Sequence, residues 1–282
     1  MQSWDLDRKI QVTTARIMEW YEHYNGLVYV AFSGGKDSTV LLDLVRRIYP
    51  DVPAVFCDTG LEFPEIRQFA MSVNNVVVLR PEMNFKKVIE TYGYPIVSKR
   101  VADTVEYGHK PGSFRWKELR GEIIRSNGTK SEFNCEKWCY LLDAPFKVSS
   151  RCCNIMKKKP MKKYSKETGR VPIIATMADE SRSRRSVWMS TGCNAFQKKS
   201  PSSQPMSFWT ENDVLEYIHT YNIPYASVYG DIVPCGGVDN DRRKKNRVCV
   251  LRFWRSFGEV SKPFSAAQTV SSKAVGVLHE TC

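Results

Sequence analysis

Apolar positions fall along the chain in two kinds of stretch, short continuous runs and longer segments with a helical period. Between residues 6 and 24, Ile10, Val12, Ile17, Trp20 and Tyr21 recur at helix-like spacing, which predicts an amphipathic opening helix. LVYVAF (27–32) is continuous, β-rich and of strand length; it ends in Ser33-Gly34-Gly35, and the following DSTVLLDLVRRIY returns to a helical period. VPAVFCD (52–58) reads as a second strand before a helix over roughly 64–73, NVVVLRP (75–81) as a third before the helical FKKVIETYG, and VPIIATM (171–177) as a further strand. Continuous apolar strands alternating with helices predict an α/β fold, an open and mostly parallel twisted sheet with helices on both faces.

The stretch from about 100 to 170 interrupts this rhythm with paired aromatics, four cysteines and the basic run MKKKPMKKYSK. After it, FWTENDVLEYIHTYNIPY (208–225) predicts a helix with Thr210 as N-cap, acidic residues in its first turn, an apolar face of Val214, Leu215 and Ile218, and Pro224 as its stop. Beyond about Pro234 no clean period remains. The expected organisation is one α/β domain over 1–232, carrying a Cys-rich basic insertion at about 100–170, and an irregular tail over 233–282.

Composition narrows the class. With 282 residues, 42% hydrophobic and 26% charged, the chain is neither a disordered polymer nor a small disulfide scaffold. No run approaches the ~20 apolar residues of a membrane helix, and MQSWDLDRKI lacks the apolar centre of a secretory signal. A cytoplasmic protein with its cysteines reduced, and no membrane partner, is expected. The net charge of +12 invites a polyanionic partner, but it is local. Residues 242–282 hold nine basic and two acidic residues, and 151–170 hold eight and one, so the rest is near neutral.

Ser33-Gly34-Gly35-Lys36-Asp37-Ser38 carries the clearest chemistry. Glycines between a strand and a helix let backbone N–H groups converge on an anion at the positive end of the helix. Lys36 adds a mobile cation and the two serines add hydroxyl donors, so a phosphate-type ligand is expected. The spacing is not that of a P-loop NTPase, because only one glycine pair precedes the lysine.

SGGKDS after a strand resembles the pyrophosphate-binding loop of the adenine nucleotide alpha-hydrolase-like (PP-loop) superfamily, which includes N-type ATP pyrophosphatases and phosphoadenosine phosphosulfate (PAPS) reductases. Asp58-Thr59-Gly60-Leu61-Glu62-Phe63-Pro64-Glu65 resembles the reductase branch, as do Pro95–Lys99, Cys152–Lys157 and FWTENDVLEYI. The resemblance spans roughly residues 25–232. It implies that Ser33, Gly34, Gly35, Lys36, Asp37 and Ser38 cradle a phosphate or sulfate and that Asp58, Thr59 and Gly60 line the adenosine side. Lys99 falls in a matching segment, and Glu180, Ser181, Arg182 and Arg184 are candidates to clamp the anion, the plain alternative being a charged loop.

Two reactions follow from the resemblance. A cysteine thiolate attacks the sulfonate sulfur of adenylylsulfate or PAPS, with sulfite released after exchange with a thiol reductant. Alternatively ATP, with Mg2+, is cleaved between its alpha and beta phosphates to adenylate a substrate. Both rely on electrostatic clamping of oxyanions; only the first needs a nucleophilic cysteine. The family's E-C-G-x-H segment has no counterpart here, since His279-Glu280-Thr281-Cys282 lacks the glycine and reverses the order. No catalytic residue is assigned.

Cys152-Cys153 before basic residues resembles the C-C-x-x-R/K segment of four-iron iron–sulfur adenylylsulfate reductases, and Cys193 is a further candidate ligand. The later C-x-x-C of those enzymes is missing, and Cys135 and Cys139 are spaced one residue too widely to replace it. Lys245–Phe257, KNRVCVLRFWRSF, admits codons that read K-T-G-C-V-F-C-G-F-G-A-H one nucleotide later, close to the family's T-G-C-x-F-C-x-F-G-x-H. A frameshift between about 233 and 246 is therefore expected, leaving an incomplete cluster and no inherited role for Cys235, Cys249 and Cys282. Two rival readings stand beside the enzyme: a nucleic-acid-associated accessory protein of the same fold, supported by the basic run at 157–166, and a catalytically inactive remnant. In the basic run only Tyr164 interleaves as an aromatic.

Overall fold

The computed structural model describes residues 1–234 and 248–251. The chain forms two compact units, the first from Met1–Asn84 and the chain from Asn154, the second from Phe85–Cys153.

The first unit opens with α1 (Leu6–His23), whose N-cap Asp5 accepts a 2.8 Å hydrogen bond from the Arg8 N–H. β1 (Val28–Phe32) leads through the glycine turn into α2 (Lys36–Arg46), followed by β2 (Ala54–Cys57), α3 (Pro64–Ser72) and β3 (Val76–Leu79). β1 pairs in parallel with β2, and β2 with β3, in the register Phe32↔Phe56↔Val78. Val28, Val30, Ala54 and Val55 are fully buried, which accounts for the lack of alternation in these runs.

In the second unit, α4 (Phe85–Tyr92), α5 (Lys99–Tyr107) and α6 (Phe114–Leu119) precede a 3-10 turn over Glu136–Asp143. Val101, Val105, Leu119 and Leu141 form a core of its own. Inside it the buried Glu118 carboxylate takes Arg100 at 2.5 Å and Arg115 at 2.7 Å, so the buried charge is neutralised rather than left unpaired.

Back in the first unit come α7 (Lys159–Thr168), β4 (Val171–Ile174), α8 (Arg182–Thr191), β5 (Asn194–Ala195), β6 (Ser202–Ser203), α9 (Glu211–Tyr221), β7 (Asp231–Pro234) and β8 (Val248–Leu251). The main sheet runs β3-β2-β1-β4-β6-β5, parallel except for the β5–β6 pair; β7 and β8 form a separate antiparallel ribbon. The expected open, mostly parallel α/β sheet is therefore what the chain forms. Successive strands step from β1 to β3 on one side, and β4 then adds on the other side of β1. This reversal makes the carboxyl ends of β1 and β4 the crevice in which such sheets take ligands.

Some expectations change. α9 ends at Tyr221, where Asn222 adopts a left-handed conformation (φ 49°), so the stop lies two residues before Pro224. Thr210 caps it as expected, in a reciprocal box with Asp213. β4 is four residues long and does not reach Met177, which instead begins a 3-10 turn. Cys57, at the end of the apolar run that forms β2, is half-buried, and its thiol donates to the Met156 carbonyl at 3.1 Å. The proposed frameshift segment lies outside the described residues, as do Cys235, Cys282 and His279; of Cys249 only the backbone, in β8, is described.

Candidate functional site

The loop between β1 and α2 forms at the switch point because the strand stops at Phe32 and Gly34 turns the chain with φ 71°. A Cβ on Gly34 would stand 2.8 Å from Ile66 Cγ2 and 2.9 Å from the Ile66 carbonyl oxygen, so α3 packs directly against this turn and only glycine fits. Gly35 is the N-cap of α2 and offers no side-chain acceptor. The first-turn N–H groups of a helix have no intrahelical partner, and here they adjoin the loop hydroxyls. The Ser33 and Ser38 hydroxyls are 3.1 Å apart, Ser38 donates to the Gly35 carbonyl at 2.9 Å, and the Gly35 N–H donates to Ser33 Oγ at 3.3 Å. These bonds hold the loop in shape without filling it.

Lys36 Nζ lies 3.1 Å from Asp37 Oδ1 and 3.3 Å from Glu211 Oε1, in the first turn of α9. Burial alone pushes the ammonium down, but the carboxylates of Asp37 and Glu211 reverse this and hold it above its usual value. Lys36 therefore stays charged at neutral pH. Lys36, Asp37, Asp179, Glu180 and Glu211 line a cavity of about 230 Å³ between the ends of β1 and β4. The Tyr229 ring centroid is 6.0 Å from Lys36 Nζ, and its hydroxyl would be 3.2 Å from a Cβ on Gly35. Glu211 and Tyr229 thus join the site from distant parts of the sequence.

The Asp58–Glu62 turn follows β2. The Gly60 N–H donates to Asp58 Oδ1 at 3.3 Å, and Glu62 accepts from the Thr59 N–H at 3.0 Å and its hydroxyl at 2.8 Å. Asp58 Oδ2 accepts from Arg67 Nε at 3.1 Å and Nη2 at 3.0 Å, with Arg80 Nε at 3.9 Å. Hydrogen bonding from Arg67 chiefly holds the Asp58 carboxyl below its usual range, against the opposing effect of burial. Asp58, Thr59, Gly60, Arg67 and Arg80 line a cavity of about 380 Å³. Neither arginine carries a local signal in the sequence. Arg80 meets Asp58 because the Asp58 N–H bonds the Leu79 carbonyl across the β2–β3 ladder at 2.8 Å.

The other expected residues divide between the units. Arg182 and Arg184 open α8, and Arg184 pairs with Glu180, so it is Glu180 that lines the cavity with Lys36. Lys99 begins α5 in the second unit, as expected of a helix entered from the N-cap Ser98. In the same unit Cys153 is exposed and Cys152 half-buried; burial raises the Cys152 thiol, with nearby Lys99 opposing it. Cys193 belongs to the first unit, where it is packed in the main core beside Trp188, and burial raises its thiol too.

A cluster-ligating cysteine is a thiolate. Among the described residues no three His, Cys, Asp or Glu side chains gather in a way that holds a metal, and a core-packed, protonated Cys193 is unsuited to the role. The described residues therefore do not fit an iron–sulfur cluster. In the basic run, none of α7 is fully buried. Lys157 lies 3.7 Å from Glu62, and Tyr164 packs edge-on against Tyr29 with centroids 5.2 Å apart, not outward as a stacking platform.

An open α/β sheet with a glycine turn and a charged lysine at its switch point defines the class. The family model for the phosphoadenosine phosphosulfate reductase domain matches residues 27–104 and 125–256, and the chain belongs to that family. It is 25% identical over 223 residues to an adenosine 5'-phosphosulfate reductase of Staphylococcus haemolyticus, covering 78% of this chain and 73% of that protein. It is 32% identical over 105 residues to an uncharacterized protein of Methanocaldococcus jannaschii, but that match covers only 36% of this chain and 25% of the relative. A crystal structure of PAPS reductase from Candida auris, in a phosphate complex, aligns over 79% of this chain and 88% of its own at 14% identity, with a TM-score of 0.43. Among the described residues no helix is long and apolar enough to cross a membrane.

Proposed function

We propose that this protein binds an adenine nucleotide of the adenylylsulfate, PAPS or ATP type, with the phosphate or sulfate on Ser33–Ser38, and acts on it as a sulfonucleotide reductase-like enzyme. The observation that carries the reading is the pairing of Lys36 with the uncapped α2 N-terminus at the sheet's switch point. Fixed N–H groups and a permanent cation stabilise an oxyanion without reorganising at the moment of binding. The Asp58–Gly60 turn is the next strand end along, on the side where the adenosine would lie. Reduction would draw on a thiol reductant, whereas ATP cleavage would bring Mg2+ with the nucleotide. The described cysteines assign no nucleophile.

A thermal-shift series with ATP, PAPS and adenylylsulfate tests the reading. Stabilisation by a sulfonucleotide, lost in Lys36→Ala, is the expected result. No stabilisation by any of the three would sink it, and salt-sensitive RNA or DNA binding in its place would favour the accessory protein.

A further inference from the structure

α1 buries two polar side chains one turn apart, Lys9 and Thr13, on the face that an amphipathic helix ordinarily fills with apolar residues. Burying an ammonium or a hydroxyl is costly unless it is bonded. Both are bonded, and to the same stretch of chain, the residues that lead into α9. Lys9 Nζ donates to Asp213 Oδ2 at 2.6 Å. Thr13 Oγ1 accepts from Trp209 Nε1 at 2.8 Å and donates to the Pro205 carbonyl at 3.3 Å. Trp4, on the approach to α1, packs edge-on against Phe208 with centroids 6.0 Å apart. The first half of α1 therefore grips the lead-in to α9 and the first turn of that helix.

That turn carries a residue of the candidate site. The Asp213 oxygen that takes Lys9 also accepts the Thr210 N–H at 2.6 Å and the Thr210 hydroxyl at 2.7 Å, closing the cap of α9. Glu211 lies inside this closed turn, and its carboxylate reaches Lys36. The Glu211 side chain is exposed, so its place over Lys36 is set by the turn beneath it and not by packing around it. One buried carboxylate thus links α1 to the start of α9, and through Glu211 to the cation of the loop. Lys9 does not line the cavity of Lys36 and Glu211, and it precedes residue 27, where the family match begins.

We infer that Lys9 is a positioning residue for the nucleotide site: by holding Asp213 it keeps Glu211 over Lys36 and so sets how strongly that carboxylate competes with an incoming phosphate. This rests on the nucleotide reading above and deepens it, because it adds a restraint on affinity exerted from outside the site. Without the tether the first turn of α9 gains freedom, Glu211 withdraws, and the phosphate meets Lys36 alone.

Calorimetric titration of the full chain with AMP tests it, with and without Glu211→Gln. Lys9→Met alone leaves Asp213 buried and unpaired, which threatens the fold, whereas Lys9→Met with Asp213→Asn removes both charges and is far better tolerated. Melting curves establish that each protein is folded before titration. The paired substitution is expected to tighten AMP binding about two- to threefold, part of the worth of an exposed ion pair. The same substitution in the Glu211→Gln background is expected to change nothing, since the group it acts through is already neutral. A merely structural Lys9 would give equal changes in both backgrounds, and that result would overturn the inference. So would unchanged affinity in both, or weaker binding in the background that keeps Glu211. Each of these outcomes leaves the nucleotide reading intact, because AMP still binds the starting chain. Failure of that chain to bind AMP at all would overturn both.

Discussion

Lys36 Nζ stands 3.3 Å from Glu211 Oε1, although the two residues lie 175 positions apart in the chain and on different helices. The Lys36 side chain is 14% exposed and that of Glu211 69%, so the carboxylate sits at the rim over a nearly buried cation. An arriving phosphate must share Lys36 with that carboxylate. Glu211→Gln is therefore expected to tighten phosphate or AMP binding by about two- to fivefold, the range of an exposed ion pair. Calorimetry checks it, and weaker binding in the variant would show that Glu211 orients Lys36 instead of competing for it.

Asp58 gives a prediction with a definite pH window. Its carboxyl is held below the usual range, chiefly by the Arg67 hydrogen bonds. In the acid range the unfolded chain then binds more protons than the folded one, so this contribution is complete above about pH 4 and fades as pH falls through the folded value. Asp58→Asn should cost about 1–3 kcal/mol near neutrality. The gap in melting temperature between the two proteins should hold from pH 7 to pH 5 and narrow below pH 4. A gap unchanged down to pH 3 would contradict the depressed carboxyl.

The strands and the loop were legible in the sequence because their signals are local. β1, β2 and β3 are continuous apolar runs, the first two almost wholly buried, and Ser33–Ser38 span the single turn between β1 and α2 and the first turn of that helix. The partners of the site were not legible, because each depends on a tertiary contact. Arg80 reaches Asp58 through strand pairing, and Glu211 and Tyr229 reach the loop only when α9 and the turn after it fold back. Cysteine burial does not follow the composition of the flanking sequence. Cys57 lies in an apolar run but is only half-buried, whereas Cys193, flanked by small and polar residues, sits in the core. Composition around a thiol says little about which face of its segment it occupies.

Gly34 and Gly60 separate backbone strain from steric clash. Both have positive φ, 71° and 73°, but a Cβ on Gly34 meets Ile66 below 3 Å while one on Gly60 meets nothing within 4 Å. Gly60→Ala should lose only the conformational penalty, about 1–2 kcal/mol. Gly34→Ala must also push α3 away from the loop, so it should lose more, by about 1–3 kcal/mol of overpacking, and lose phosphate binding with it. Denaturant titration of the two variants compares them directly. Equal costs would mean that α3 yields freely at Ile66.

Thiol reactivity bears on the cysteine chemistry that a reductase would need. The thiolate is the reactive form, so burial slows alkylation both by shielding sulfur and by raising its pKa. Cys153 is exposed, Cys152 and Cys57 are half-buried with raised thiols, and Cys193 is buried with a raised thiol. Iodoacetamide at pH 7.5, followed by peptide mass spectrometry, should label Cys153 first among these four, Cys152 and Cys57 more slowly, and Cys193 only on unfolding. Nucleotide on Ser33–Ser38 should leave Cys193 unlabelled, because its protection comes from the core and not from the site. Early labelling of Cys193 in the folded protein would instead mean that the α8 end of the core opens, returning this cysteine to the set of candidate ligands or nucleophiles.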